Sequence, residues 1–337
     1  MGAIMGLLAN LQVSGDLAGL VKEYMLGRQL TDSDLYRYLS GLSANDRMAF
    51  RQWWRVLDEL QALCTDEPVG IALGKRIRAD YVGVLGHLLL SSEHLNDALQ
   101  GFQRYQRLLH DGDRAQISAK DGWICMSWTT DYGASSRLSD EVLVVGVIHF
   151  IRTLTADDAL APAMVDFTFA EPAESAELAD ACGCNVRFSQ KTTALYFKPA
   201  DMLLPVQQSN PGTHALLDQQ AQALMGILPA EDPFTLNLKH ALLIAIRQGQ
   251  PDIGCVARTL HLSERTLFRR LKAAGLVFSD IMTQARMQLA KEYLLEGRLT
   301  QSEIALLLGY SEQSAFNRAF KQNTELPPGV WVKGQRG

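Results

Sequence analysis

Apolar positions in roughly the first hundred residues recur at three- and four-residue spacing, the mark of helices with one buried face. In DRMAFRQWWRVLDELQALC the apolar face is Phe50, Trp54, Leu57 and Leu60. In HLNDALQGFQRYQRLL it is Leu95, Ala98, Leu99, Phe102, Tyr105 and Leu109. The period then shortens. In AQISAKDGWICMSWTT the turn Lys120-Asp121-Gly122 separates Ile117 from the alternation of Trp123, Cys125 and Ser127, which predicts a hairpin. A helix over about 140–154 and a strand in AMVDFTFA follow. Pro172, with Glu174 and Glu177 behind it, suits another helix start, and NVRFSQ and TALYFK predict a strand pair. This order gives an α+β domain over residues 1–204, with a helical start and then mixed strands and helices.

LPVQQSNPGT breaks the pattern at Leu204–Thr213. The next segment, HALLDQQAQALMGIL, aligns Leu217, Ala221, Leu224 and Leu228 along one helical stripe. Two readings stand level: a helix packed on its own domain, or a dimerisation helix within a linker over 205–233.

From 234 to 337 only helices are predicted, and here the chain repeats itself. LFRRLK (267–272) and FNRAFK (316–321) share one form, 49 residues apart. Each follows a short apolar helix and a tight turn. In the first unit Ile253, Val256, Ala257 and Leu260 form the stripe, HLS the turn, and Ser263 a helix cap. In the second, Ile304, Ala305 and Leu308 lead to Gly309 at a helix end. One long helix, SDIMTQARMQLAKEYLLEG, joins them. The result is an all-α domain of two helix-turn-helix units joined by a long helix.

The second helix of such a unit fits a major groove about 12 Å wide. Arg265, Phe268, Arg269 and Lys272 share the outer face of the first, and Gln313, Ser314, Asn317, Arg318 and Lys321 that of the second. Arginine suits guanine, asparagine and glutamine suit adenine, and lysine suits phosphates. Two units on one rigid helix could enter successive grooves roughly 34 Å apart on double-stranded DNA. Charge alters the picture only when divided. The whole chain carries −5, yet residues 240–337 hold 13 Lys and Arg against 8 Asp and Glu. A basic reading head behind an acidic front half implies separate jobs.

SERTLFRRLKAAG, ARMQLAKEYLLEG and SEIALLLGYSEQSAFNRAFKQ, in that order and spacing, resemble the DNA-binding domain of AraC/XylS-type bacterial transcriptional regulators over about residues 240–333. The resemblance puts base reading on Arg265, Phe268 and Arg269, then on Gln313, Ser314, Asn317 and Arg318. Phe268 departs from a hydrogen-bonding type and would meet a thymine methyl. In the tail, Glu325 and Trp331 stand where the family usually has Gly and Tyr. More loosely, GVLGHLLLSSEHLNDALQGFQRYQRLL resembles the effector domain of a subset that includes ornithine-utilisation regulators. An arabinose-binding label attached to such domains is weak support for a sugar, because the helical start is unlike the β-barrel of sugar-sensing members. The resemblance implies a regulator, read here as an activator, that works with RNA polymerase as a homodimer under a small-molecule effector.

For that effector, Tyr81, Tyr105, Trp123, Trp128, His149 and Arg152 are candidate pocket residues, since pockets are mostly apolar with a few polar anchors. The sequence does not choose among a small organic acid such as an aromatic acid, an amino-acid derivative and a fatty acid. An effector-independent regulator or architectural DNA binder is the alternative reading. A DNA-repair methyltransferase-like protein is the enzymatic rival, but no reactive cysteine setting or zinc-binding cysteine cluster supports it. No P-loop, Gly-x-Ser-x-Gly or His-Glu-x-x-His occurs, so no catalytic residues, metal or cofactor are assigned. Five scattered cysteines, including Cys182 and Cys184, suit reduced thiols. No run approaches the roughly 18 apolar residues of a membrane span, and MGAIMGLLANLQVSG lacks a basic start, so a cytoplasmic protein is expected.

Overall fold

The structure is a computed structural model that describes residues 8, 11–43, 46–129, 135–228, 233–249, 251–297, 299–324 and 326–336. The chain forms two compact units, one running from Leu11 to Leu228 apart from a short internal stretch, the other built chiefly from residues 229–337.

The first unit begins with β1 (Gln12–Ser14), α1 (Asp16–Gly27), α2 (Asp34–Ser40), β2 (Arg47–Ala49), α3 (Phe50–Leu63), α4 (Val69–Gly74), α5 (Val84–Leu90) and α6 (Leu95–Tyr105). It continues with β3 (Ala115–Lys120), β4 (Trp123–Trp128), α7 (Arg137–Thr155), β5 (Met164–Asp166), α8 (Ser175–Cys182), β6 (Asn185–Arg187), β7 (Thr193–Phe197) and α9 (Pro211–Ile227). The inward face of α3 differs slightly from the one expected. Trp53 and Val56 join Phe50, Leu57 and Leu60 in the core, and Trp54 is half-buried. The Trp53 indole N–H has a partner there, donating to Ser139 Oγ of α7 at 3.1 Å, as a buried indole requires.

β3 and β4 form the expected hairpin, paired from Ala115↔Trp128 to Lys120↔Trp123. Asp121 (φ 50°) and Gly122 (φ 83°) supply the two left-handed residues that a tight two-residue turn needs. The expected pairing of NVRFSQ with TALYFK does not form. The sheet order is β3-β4-β7-β5-β6, so β5 lies between those two strands. The cause is α8, which acts as a crossover and returns the chain parallel to β5, whereas β7 lies antiparallel to β5. α7 is apolar around most of its circumference and is correspondingly buried, through Val144, Val145, Ile148, Ile151 and Leu154, with α3, α4 and α8 packed on it. Asn210 caps α9 by accepting from Thr213 N at 2.9 Å, with Pro211 as the first helical residue. α9 packs on α5 and α6, and the Tyr105 hydroxyl donates to Asp218 at 2.7 Å.

The second unit is helical throughout its described residues: α10 (Pro233–Arg247), α11 (Ile253–Thr259), α12 (Glu264–Ala273), α13 (Phe278–Glu296), α14 (Gln301–Leu307), α15 (Gln313–Thr324) and α16 (Pro328–Arg336). One core runs through it, with Leu238 and Leu242 of α10, Val256, Leu267, Leu271, Ile281, Leu289, Ile304, Phe316 and Phe320. In the tail, Trp331 packs edge-on to Phe320 at 5.6 Å. Glu325 lies outside the described residues.

Candidate DNA-binding surface

α12 and α15 are each fixed by local chemistry before they are fixed by packing. Asp252 caps α11 by accepting from Cys255 N at 2.8 Å. The chain turns at His261 (φ 52°), and Ser263 caps α12, accepting from Thr266 N at 3.2 Å. Leu267 and Leu271 then enter the core, which forces Arg265, Phe268, Arg269 and Lys272 outward, all exposed. The second unit repeats the scheme with a reciprocal cap. Thr300 N donates to Glu303 Oε2 at 2.7 Å, and Glu303 N donates to Thr300 Oγ1 at 3.3 Å. The turn falls at Gly309, and Phe316 and Phe320 are fully buried. Gln313, Ser314, Arg318 and Lys321 are exposed, and Asn317 is half-buried beside them. The two expected sets of side chains therefore each share one outward face.

The connecting helix α13 has 19 residues, about 28 Å at the usual rise per residue. The Arg286 guanidinium on it lies over the Tyr310 ring at 5.1 Å, which ties α13 to the turn before α15. Arg286 is thus a packing cation, unlike the outward arginines of α12.

The outward faces of α12 and α15 differ in how occupied they are. Among the described residues no ion pair engages Arg265 or Arg269, and Phe268 stands 53% exposed between them. On α15 the Gln313 amide is held at both ends by α14: Ser302 Oγ donates to its Oε1 at 2.6 Å, and its Nε2 donates to Gln301 Oε1 at 3.1 Å. Ser314 Oγ donates to Glu312, and Arg318 Nη2 lies 3.9 Å from the same carboxylate. Asn317 Oδ1 is buried without a hydrogen-bond partner. Sequence reasoning passed over Glu312, although it lies inside the second motif. Setting the two repeats in register, with Glu312 opposite Ser263, is the signal that would have found it.

The candidate effector residues do not converge to the same degree. The Tyr81 hydroxyl is engaged by Glu23 and Arg78, and that of Tyr105 by Asp218. Arg152 donates to the carbonyls of Leu160, Ala181 and Cys182, closing the end of α8. Trp123 and Trp128 stand on opposite faces of β4. Trp128 is buried and its Nε1 has no hydrogen-bond partner. His149 is half-buried, and burial together with Arg152 holds its pKa below the usual imidazole value.

At the start of α7, Asp140 and Glu141 are both buried, and burial pushes each up to about 7. Glu141 is paired with Arg137 at 3.0 Å, while Asp140 meets Thr193 Oγ1 at 3.5 Å. Burial also pushes the Cys182 thiol up to about 12 and Cys184 up to about 11, so both are protonated at neutral pH. Among the described residues no group of three or more His, Cys, Asp or Glu could hold a metal ion, and no helix is long and apolar enough to cross a membrane.

Residues 39–206 match the family described as the arabinose-binding domain of AraC transcription regulator, N-term, and residues 256–334 match a helix-turn-helix domain family. The ornithine utilization regulator of Pseudomonas aeruginosa is 31% identical over 319 residues, which cover 91% of each chain. The HTH-type transcriptional regulator VirS of Mycobacterium tuberculosis is 29% identical over 182 residues, 54% of this chain and 53% of that one. Among solved structures, the transcriptional regulator CdpR from Pseudomonas aeruginosa aligns with a TM-score of 0.40 at 21% identity, covering 86% of this chain and 99% of that chain. With a full-length relative at this identity and both domain families matched in order, the chain belongs to the AraC-type helix-turn-helix transcriptional regulators, in which a C-terminal DNA-binding domain follows an N-terminal effector domain.

Proposed function

We propose that this chain is a cytoplasmic, homodimeric transcription activator that reads DNA with α12 and α15 and is switched by a small amino-acid derivative. The observation that carries the reading is the pair of exposed sets, Arg265/Phe268/Arg269/Lys272 and Gln313/Ser314/Arg318/Lys321, with Asn317 half-buried beside the second, on helices joined by α13. In this reading residues 1–204 sense the effector, residues 205–233 with α9 mediate dimerisation, and residues 234–337 bind DNA. Among the three effector classes, the amino-acid derivative is favoured by the name of the relative that spans nearly the whole chain. Activation acts through RNA polymerase, for which Leu306 and Leu307 of α14, 65% and 44% exposed, offer an apolar contact. Effector binding shifts the balance between DNA-competent and incompetent arrangements by its differential affinity for the two. The chain regulates and carries out no catalysis of its own, in keeping with relatives that are named as regulators.

The test is selection of a random duplex library on the full-length protein, followed by titration of the enriched duplex with and without L-ornithine, octanoate or benzoate. Enrichment of one sequence, bound more tightly in the presence of L-ornithine, is expected. Failure to enrich any sequence would remove the DNA-reading assignment of α12 and α15. A response to octanoate or benzoate alone would move the effector to another class.

A further inference from the structure

The two reading helices are not equivalent, and the difference rests on Glu312. In the 49-residue repeat, Arg318 of α15 stands where Arg269 stands in α12, and Glu312 stands where Ser263 does. Ser263 caps its helix and carries no charge. Glu312 places a carboxylate at the start of the reading helix, where DNA phosphates approach and where anionic groups are drawn by the helix end. That carboxylate faces the Arg318 guanidinium at 3.9 Å and takes the Ser314 hydroxyl. With Gln313 held by Gln301 and Ser302, three of the four polar residues expected to read bases on α15 are engaged inside the protein. The fourth, Asn317, has a buried acceptor still without a partner.

We propose that Glu312 is a specificity determinant, which makes the second helix-turn-helix unit the discriminating reader and leaves the first as the general anchor. On an arbitrary duplex, Arg318 must leave Glu312 to reach a phosphate, and Glu312 is then left near the DNA backbone with no compensation. On the matching sequence the same exchange is repaid. Arg318 gains a two-point contact with a guanine edge, and Glu312 accepts from a cytosine amino group or moves clear. Specificity of this kind comes from penalising wrong partners as much as from rewarding the right one. The pair is exposed, 75% and 62% for the two side chains, so its effect is a matter of severalfold and not of orders of magnitude. The inference rests on α15 lying in the major groove.

The test compares wild type, Glu312→Gln, Glu312→Ser and Arg318→Ala as full-length proteins, on the duplex enriched by wild type and on a scrambled duplex. Glu312→Gln keeps an acceptor for Ser314, and Glu312→Ser copies the neutral cap of the first unit, so both retain a helix start. Both are expected to bind scrambled DNA about three- to tenfold more tightly, with less gain on the enriched duplex, so that the ratio of the two affinities falls. On scrambled DNA the salt dependence should steepen by up to about 0.9 in log–log slope, the value of one added phosphate contact. Combining either variant with Arg318→Ala should shrink the gain to what relief of the Glu312–phosphate repulsion alone supplies. An unchanged ratio, or an undiminished gain in the Arg318→Ala background, would overturn the proposal. A wild-type protein that enriches no sequence would instead overturn the placement of α15 itself, and this inference with it.

Discussion

Gly309, in the turn before α15, lies against the ring of Pro251, the residue before the cap of the first unit. A side chain at Gly309 would place its first carbon 2.4 Å from Pro251 Cγ and 3.4 Å from Arg286 Nη2. The two helix-turn-helix units thus meet at a point with no room for a methyl group, and Gly309 also holds φ +75°. Gly309→Ala should cost about 2–4 kcal/mol, part from the left-handed backbone and part from overpacking. Thermal unfolding checks the loss. DNA affinity should fall with it, because the spacing of α12 and α15 depends on this contact; an unaffected melting temperature would show that the ring simply moves aside.

Phe268 is an apolar side chain left 53% exposed in the middle of a cationic face. Because it is exposed, Phe268→Ala should change stability by no more than about 0.5 kcal/mol. Its expected effect is on DNA, through a lost contact with a thymine methyl group. Replacing thymine by uracil in the enriched duplex removes the same methyl from the other side. The two changes should therefore weaken binding alike and fail to add when combined, as for groups in direct contact. Arg269→Ala should cost about 1–3 kcal/mol of specific binding if it reads a base edge. Anisotropy titrations at fixed salt measure all of these, and additive losses from Phe268→Ala and uracil would place the methyl elsewhere.

The second unit was legible in the sequence because period, cap and turn repeat within it. Buried positions such as Phe316 and Phe320 fix which residues must face out, so the outward faces of α12 and α15 followed from spacing alone. The α+β unit was less legible. Short strands such as Asn185–Arg187 carry little periodicity, and their partners are set by the crossover helix between them rather than by adjacency in the chain. The effector candidates were chosen by residue type, which says nothing of what a hydroxyl or guanidinium already holds. Arg152 shows the problem: a cation suited to an acid is spent on three backbone carbonyls. Glu312 carries no signal of its own in the second motif, since only comparison with Ser263 gives it meaning.

Asp140 and Glu141 make stability depend on pH in an unusual direction. Both are neutral in the fold until about pH 7, whereas an unfolded chain ionises them near pH 4. Between those values the unfolded state releases protons that the folded state keeps, so stability falls as pH rises and levels off above about 7. Asp140→Asn keeps an acceptor for Thr193 and removes the charge. The variant should gain on the order of 1–3 kcal/mol at pH 8 and nothing near pH 4. Denaturant unfolding at both pH values decides it, and an equal shift at the two would mean that the effect of the substitution does not come from the ionisation of Asp140.

α9 buries Ala221 against the first unit but leaves Leu216, Gln220, Ala223 and Ile227 exposed along one helical line, with Leu216 at 69% and Ile227 at 77%. Solvated apolar residues in such a row suit a second copy of the same helix, because a twofold contact needs one face that matches itself. Their removal should leave the protomer intact, since neither side chain is in its core. Leu216→Glu with Ile227→Glu would set like charges against each other across that contact, which should raise the dimer dissociation constant at least tenfold, about 1.4 kcal/mol. Sedimentation of the full-length protein gives the constant directly. If the variant remains dimeric with wild-type affinity, the copies meet elsewhere, and the apolar row on α9 has some other use. If it becomes monomeric and its affinity for a two-site duplex falls more than its affinity for a single site, then dimerisation through α9 is what couples the two reading heads.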